Sequence, residues 1–118
     1  MPLNKAKYVP KGWGGELWIH NDELYCGKLL TLLAGKRCSL HFHRLKTETF
    51  YIHSGKVKME LKYPDGAEET LTLASGDSVH LPAGTWHRYT GIEDSEIFEF
   101  STQHFDEDTV RLRPGDSL

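Results

Sequence analysis

The sequence predicts an all-β fold, a sandwich or barrel of short antiparallel strands. Three observations carry this. Short β-prone runs recur along the chain, with Gly, Pro and Asp turn signals between them. One run alternates with period two, Val57, Met59 and Leu61 against Lys56, Lys58 and Glu60. No stretch holds a helical period, and many short strands without helices are an all-β architecture.

The elements follow in order. Tyr8 to Gly15 is rich in Gly, Pro and Lys, so residues 1–15 are expected to be irregular. Glu16–His20 is the first expected strand. Leu24–Leu33 is the second, with Leu29, Leu30, Leu32 and Leu33 predicting burial on both faces. Ala34-Gly35-Lys36 turns the chain into Cys38–Arg44. Expected strands then follow at Glu48–His53, Lys56–Tyr63, Glu68–Leu73, Ser78–Leu81, Trp86–Thr90 and Glu96–Ser101. Pro64-Asp65-Gly66 is a tight-turn signal between two of them. The polar tail, residues 106–118, is expected to be irregular, lying on the barrel or fraying.

Composition sets outer limits. At 118 residues the chain is one domain, 1–118, and 38% hydrophobic with 26% charged content suits a globular chain. A net charge of -3 and no basic stripe argue against a nucleic-acid partner. No apolar run is long enough to span a bilayer, so no membrane partner is expected. The N-terminus lacks the apolar core of a signal peptide, which makes the cytoplasm the expected location. In that setting Cys26 and Cys38 are expected to be reduced core residues.

The chemistry begins with seven histidines, two of them one residue apart. On a helix, His41 and His43 would point in nearly opposite directions. On a strand they share a face, and the surrounding Cys-Ser-Leu-His-Phe-His is β-prone. Glu48 follows after the short loop Arg44–Thr47. His87 lies far along the chain, after Pro82-Ala83-Gly84, and reaches the pair only through tertiary folding. Three imidazoles and one carboxylate around one divalent ion leave positions open for water or substrate, a set that suits Mn, Fe, Co, Ni or Zn. The ordinary alternative is a set of buried histidines satisfied by backbone carbonyls. That alternative is kept for His20, His53, His80 and His104, which have no partner at useful spacing.

The frame around the pair is more specific. Gly35-Lys-Arg-Cys-Ser-Leu-His41-Phe-His43-Arg-Leu-Lys-Thr-Glu48-Thr-Phe-Tyr-Ile-His-Ser-Gly55 and Gly76-Asp-Ser-Val-His-Leu-Pro82-Ala-Gly84-Thr-Trp-His87 resemble the two motifs of the cupin superfamily at the motifs' own spacings. The resemblance implies a double-stranded β-helix, the jelly-roll cupin barrel, and carries the family's metal ligands onto His41, His43, Glu48 and His87. Three further stretches, Lys11-Gly-Trp-Gly-Gly-Glu16-Leu-Trp18-Ile, Lys28 through Leu40, and Ile97-Phe-Glu99-Phe-Ser-Thr, resemble the mannose-6-phosphate isomerase type II cupin. That family tends to carry Gln where this chain has His41, and ends in a different tail. The implied activity is aldose–ketose isomerisation of a sugar or sugar phosphate, with a carbohydrate as the small-molecule substrate and a homodimer as the assembly.

Strand parity selects candidates for proton transfer. Ser39 shares a face with His41 and His43, and Tyr89 with His87, while Arg88 points away. Glu99 is placed to point inward from the last strand. Lys28 is a charge within an apolar strand, and Lys46 sits in the loop between two ligands. Lys46, Glu99 and Lys28 are the candidate catalytic residues; as ordinary residues they would be an ion-paired Glu, an edge Lys and a solvated Lys. Trp13, Trp18 and Trp86 are expected to pack. Two other functions fit the same ligands. One is an Fe(II)-dependent dioxygenase, for which Phe50 and Ile52 should line an apolar pocket. The other is a non-catalytic metal- or sugar-binding module.

Overall fold

A computed structural model describes residues 2–118 and holds eleven strands in two antiparallel sheets. The larger sheet has the order β1 (Lys7–Lys11), β2 (Gly14–Asn21), β3 (Cys26–Leu32), β10 (Ser95–Ser101), β5 (Glu48–Ser54), β8 (Ser78–Leu81). The smaller has the order β11 (Thr109–Arg113), β4 (Leu40–His43), β9 (Trp86–Gly91), β6 (Lys56–Lys62), β7 (Glu68–Ala74). The two sheets close over one core in a jelly-roll barrel, as expected.

The inward residues alternate along each strand, which is the period-two rule at work. Leu30 and Leu32 of β3, Phe50 and Ile52 of β5, Val57 and Met59 of β6, and Ile97 of β10 are almost fully buried. Trp13 enters the same core and meets Tyr89 edge-on, ring centroids 5.3 Å apart. Toward the other end of the barrel the same inward rows turn polar. Lys28 precedes Leu30, Glu48 precedes Phe50, Glu99 follows Ile97, and His87 precedes Tyr89; all four are buried. Register brings them together: Lys28 lies opposite Glu99, Ser101 opposite Glu48, and His41 opposite His87. The barrel is thus apolar at one end and charged at the other.

Two glycines of the motifs have a steric reason. Gly55 joins β5 to β6 at φ 92°, and a Cβ there would lie 2.2 Å from Ser95 Oγ. Gly84 adopts φ 85° in the turn before β9, and its N–H donates to the His43 carbonyl at 2.8 Å. That turn therefore fixes His87 against His43.

Three expectations need correction. Residues 1–15 are not all irregular: Lys7–Lys11 and Gly14 onward pair in register from Lys7–Trp18 to Lys11–Gly14. Pro10 is tolerated because β1 is an edge strand. The tail is ordered as well. Asp106–Asp108 forms one 3-10 turn and Thr109–Arg113 adds β11 beside β4. Beyond it, Arg88 donates to the Pro114 carbonyl and the Arg37 N–H donates to Asp116 Oδ2, both at 2.8 Å. Finally, β3 is buried on one face only. Leu33 is 42% exposed, because the outer face of the larger sheet is uncovered.

Candidate metal centre

His41 and His43 leave β4 on one face, as strand parity requires, and His87 reaches them from the neighbouring β9. One donor nitrogen from each ring lies within 4.8 Å of the other two. Each ring has its Nδ1 occupied from behind. His41 Nδ1 lies 2.9 Å from the Ser39 carbonyl, His87 Nδ1 3.0 Å from the Thr85 carbonyl, and His43 Nδ1 3.3 Å from Thr109 Oγ1. A proton on Nδ1 donated to these oxygens leaves Nε2 bare, the tautomer a metal-binding imidazole needs. Glu48, expected as the fourth ligand, lies outside that three-ring group, with Oε1 3.0 Å from His87 Nε2 and 3.8 Å from His43 Nε2.

The residues fit a cation. Glu48 Oε1 and Oε2 and His87 Nε2 are buried in charge contact with one another and with Lys46 but without an aligned hydrogen bond, an arrangement that a bound cation would satisfy. Burial works against the Glu48 carboxylate, yet His87, Lys46 and His43 outweigh it and hold its pKa far below the usual range. Burial drives the His43 imidazole down to about 3, and burial with the other two rings drives His41 well below its ordinary value. Burial also lowers His87, but the adjoining carboxylate overcomes it and the net shift is upward.

These shifts set a pH dependence. His41 and His43 are neutral in the metal-free fold and protonated in the unfolded chain below about pH 6.5, so they remove stability as pH falls. His87 acts in the opposite sense, contributing below that pH and losing its contribution as pH rises through its raised pKa. Below about pH 6 the His87 contribution is constant, so the unfolded chain binds two more protons than the fold at these rings, one each at His41 and His43. Stability should fall by about 2–3 kcal/mol per pH unit below about pH 6. Chelator-treated protein melted between pH 7.5 and 5 should show a falling Tm. Saturating divalent metal should carry the fall to lower pH, since the ion competes with those protons.

Behind the carboxylate lies a buried ion-pair chain. Lys46, 3% exposed, places Nζ 2.9 Å from Glu99 Oε2, 3.0 Å from His104 Nδ1 and 3.1 Å from Glu48 Oε2. The first two are hydrogen bonds; the Glu48 contact is off the donor line, which leaves that oxygen unsatisfied. Burial lowers the Lys46 pKa, but Glu99 and Glu48 raise it above the usual lysine range. Lys28 is 2% exposed and not an edge residue; Nζ pairs with Glu16 Oε1 at 3.2 Å. The structure therefore brings all three candidate proton-transfer residues to one cavity of about 200 Å³ beside the three imidazoles. Phe50 borders it, whereas Ile52 lies in the apolar core. Tyr89 and Cys38 border it too, and burial raises both pKa values, the thiol to about 12, so neither ionises readily. Both cysteines are free thiols.

His104 is the correction among the histidines. With Nδ1 accepting from Lys46, its Nε2–H donates to Asp106 Oδ1 at 2.9 Å. Asn21 clamps its backbone at both N–H and carbonyl. Burial, then the Lys46 charge, lowers its pKa and keeps it an acceptor. No local pattern marks it; positions 46 and 104 meet only through the fold. Asp108 was also missed. Its buried carboxylate accepts the backbone N–H groups of Arg44, Leu45 and Lys46 at 2.9–3.0 Å and so holds the loop between His43 and Glu48. Of the other histidines, His20 pairs with Asp22, and His80 lies 3.0 Å from Thr49 Oγ1.

The fold and this site define a jelly-roll barrel with a three-histidine metal centre. The cupin domain family matches residues 28–102, and the chain belongs to that family. It is 42% identical over 102 aligned positions to the quercetin 2,3-dioxygenase of Bacillus subtilis (strain 168), covering 75% of this chain and 29% of that protein. The chain thus spans under a third of that relative's length. Among solved structures, an oxalate decarboxylase variant of B. subtilis superposes with TM-score 0.82 at 18% identity, over 91% of this chain and 30% of that one. The capsular polysaccharide assembling protein CapF of Staphylococcus aureus gives 0.77 at 17%, over 95% and 33%. KdgF from Halomonas sp. gives 0.67 at 19%, over 79% and 81%. These structures share the fold. The chain is a metal-binding cupin, with a donor set open to several divalent transition metals.

Proposed function

We propose that this cupin is a metal-dependent enzyme that moves a proton between adjacent carbons of a small carbohydrate, an aldose–ketose isomerase. The observation that carries the reading is the wall of the cavity: Lys46, Glu99 and Lys28 are buried there beside the imidazoles, as charges rather than apolar surface. His41, His43, His87 and Glu48 would hold one divalent ion, which when bound supplies Lewis acidity toward two neighbouring substrate oxygens. Glu99 takes the proton from the carbon beside the carbonyl and returns it to the former carbonyl carbon, while the hydroxyl proton of the first carbon passes to the carbonyl oxygen. Lys46 holds Glu99 in place through its 2.9 Å hydrogen bond and balances negative charge on the substrate. Lys28 donates to a substrate oxygen from the opposite strand.

The test is metal-loaded protein incubated in deuterated water with mannose 6-phosphate and related sugars. Exchange at carbon 2 is the expected result, and Glu99→Gln should lower it by about 100-fold or more, the contribution of a positioned base. No exchange with any sugar would sink the reading. The chain is expected to act as a homodimer, read in sedimentation as twice its 13.5 kDa mass.

A second reading, oxygen-dependent oxidation on Fe(II), is favoured by the 42% identity to a quercetin dioxygenase. It predicts oxygen consumption with a polyphenol and none under nitrogen. The polar cavity wall weighs against an apolar substrate.

A further inference from the structure

The buried ammonium of Lys28 is only partly used by the protein. It has three N–H donors and one hydrogen-bonded acceptor, Glu16 Oε1 at 3.2 Å, and that oxygen also accepts from Trp18 Nε1 at 2.8 Å. The Trp18 ring lies against it, 4.3 Å from Nζ to centroid, and supplies no lone pair. Yet the side chain is 2% exposed and borders the cavity. Lys46 differs, with two hydrogen-bonded acceptors and a second carboxylate at 3.1 Å. Buried donors without acceptors are disfavoured, so Lys28 is built for an acceptor the protein does not provide.

Charge points the same way. With the imidazoles neutral, as metal ligands are, the charged side chains at the cavity, Lys28 and Lys46 against Glu16, Glu48 and Glu99, sum to one negative charge. At the mouth Lys11 and Arg111 are offset by Asp106 and Asp116. A divalent ion turns the interior to one positive charge, in a place where an unbalanced charge is costly.

We propose that the cavity takes a small hydroxy acid as a monoanion, with its carboxylate on Lys28 and its hydroxyl oxygens toward the imidazoles. This rests on the proposed ion site and narrows the carbohydrate reading to an acidic one.

D-glycerate and glycerol test it, since they share a skeleton and differ by one carboxylate. Metal content is measured first on zinc-loaded protein, then each probe is titrated with calorimetry and tryptophan emission, Trp18 being the reporter beside Lys28. Glycerate should bind at least about tenfold more tightly than glycerol, as expected for a charge held by a buried partner. Lys28→Met should abolish that preference at unchanged metal content, and Lys28→Arg should keep part of it. Glu16→Gln should tighten glycerate further, and serves if Lys28→Met does not fold. Equal binding of the two probes, no binding of either to metal-loaded protein, or an undiminished preference in Lys28→Met would each overturn the assignment. Failure of the native chain to retain zinc would instead overturn the ion site on which it rests.

Discussion

His87→Ala should abolish stoichiometric metal binding while leaving the barrel folded. His87 is the ring that ties the site together. It lies opposite His41 in the β4–β9 ladder, and its Nε2 is the nearest imidazole nitrogen to Glu48 Oε1. Without it His41 and His43 remain as a pair from one short strand, with no donor from β9. Loss of a single hydrogen-bond partner to a ligand already costs 10–100-fold in metal affinity. Loss of the ligand itself should exceed about 100-fold, and elemental analysis after dialysis should find less than about a tenth of an ion per chain. The metal-free fold should tolerate the change better than its burial suggests. His87 in that state compensates a buried carboxylate, and Lys46 remains 3.1 Å from Glu48 to do so. Retained metal at full stoichiometry would mean the ion sits elsewhere.

The fold was legible because its signals are local. Alternation in Lys56–Lys62, the Pro64-Asp65-Gly66 turn and the glycines at 55 and 84 each act within a few residues, and each strand from Glu48 to Leu81 lies within a residue or two of its expected span. The His-x-His pair was legible for the same reason. β1 escaped because Pro10 and the glycines that follow erase strand propensity, while an edge strand needs only half its backbone donors. β11 did carry a signal, Val110 and Leu112 alternating with Arg111 and Arg113, but its polarity reads as tail. What local pattern does not hold is who meets whom. Lys46 reads as a loop lysine and Glu99 as a strand glutamate until β10 and the 44–47 loop meet. His104 and Asp108 acquire their partners 58 and 62–64 positions away. A buried charge network is a property of the closed barrel, so sequence offers its members and not its connections.

Asp108→Ala tests that point with the largest expected loss of stability. One carboxylate, 6% exposed, accepts three successive backbone N–H groups, Arg44 and Leu45 on Oδ1 and Lys46 on Oδ2. Hydrogen bonds to a charged group contribute about 1.5–3 kcal/mol each, and the donors left behind are partly buried. Arg44 N–H keeps a weaker contact with the Asp108 carbonyl at 3.3 Å, and the loop partly opens to water, so the bonds do not add in full. A loss of about 3–4 kcal/mol is expected, a fall in Tm of roughly 10 °C or more for a domain of this size. Asp108→Asn should fall between, because an amide keeps one acceptor oxygen but turns an NH₂ toward a backbone donor. The same loop joins His43 to Glu48 and carries Lys46, so metal affinity should fall with it although Asp108 touches neither imidazole nor Glu48. If the alanine variant melts like the parent and binds metal as tightly, then the tail is packing alone. If both fall together, the 3-10 turn at Asp106–Asp108 is what holds the metal loop closed.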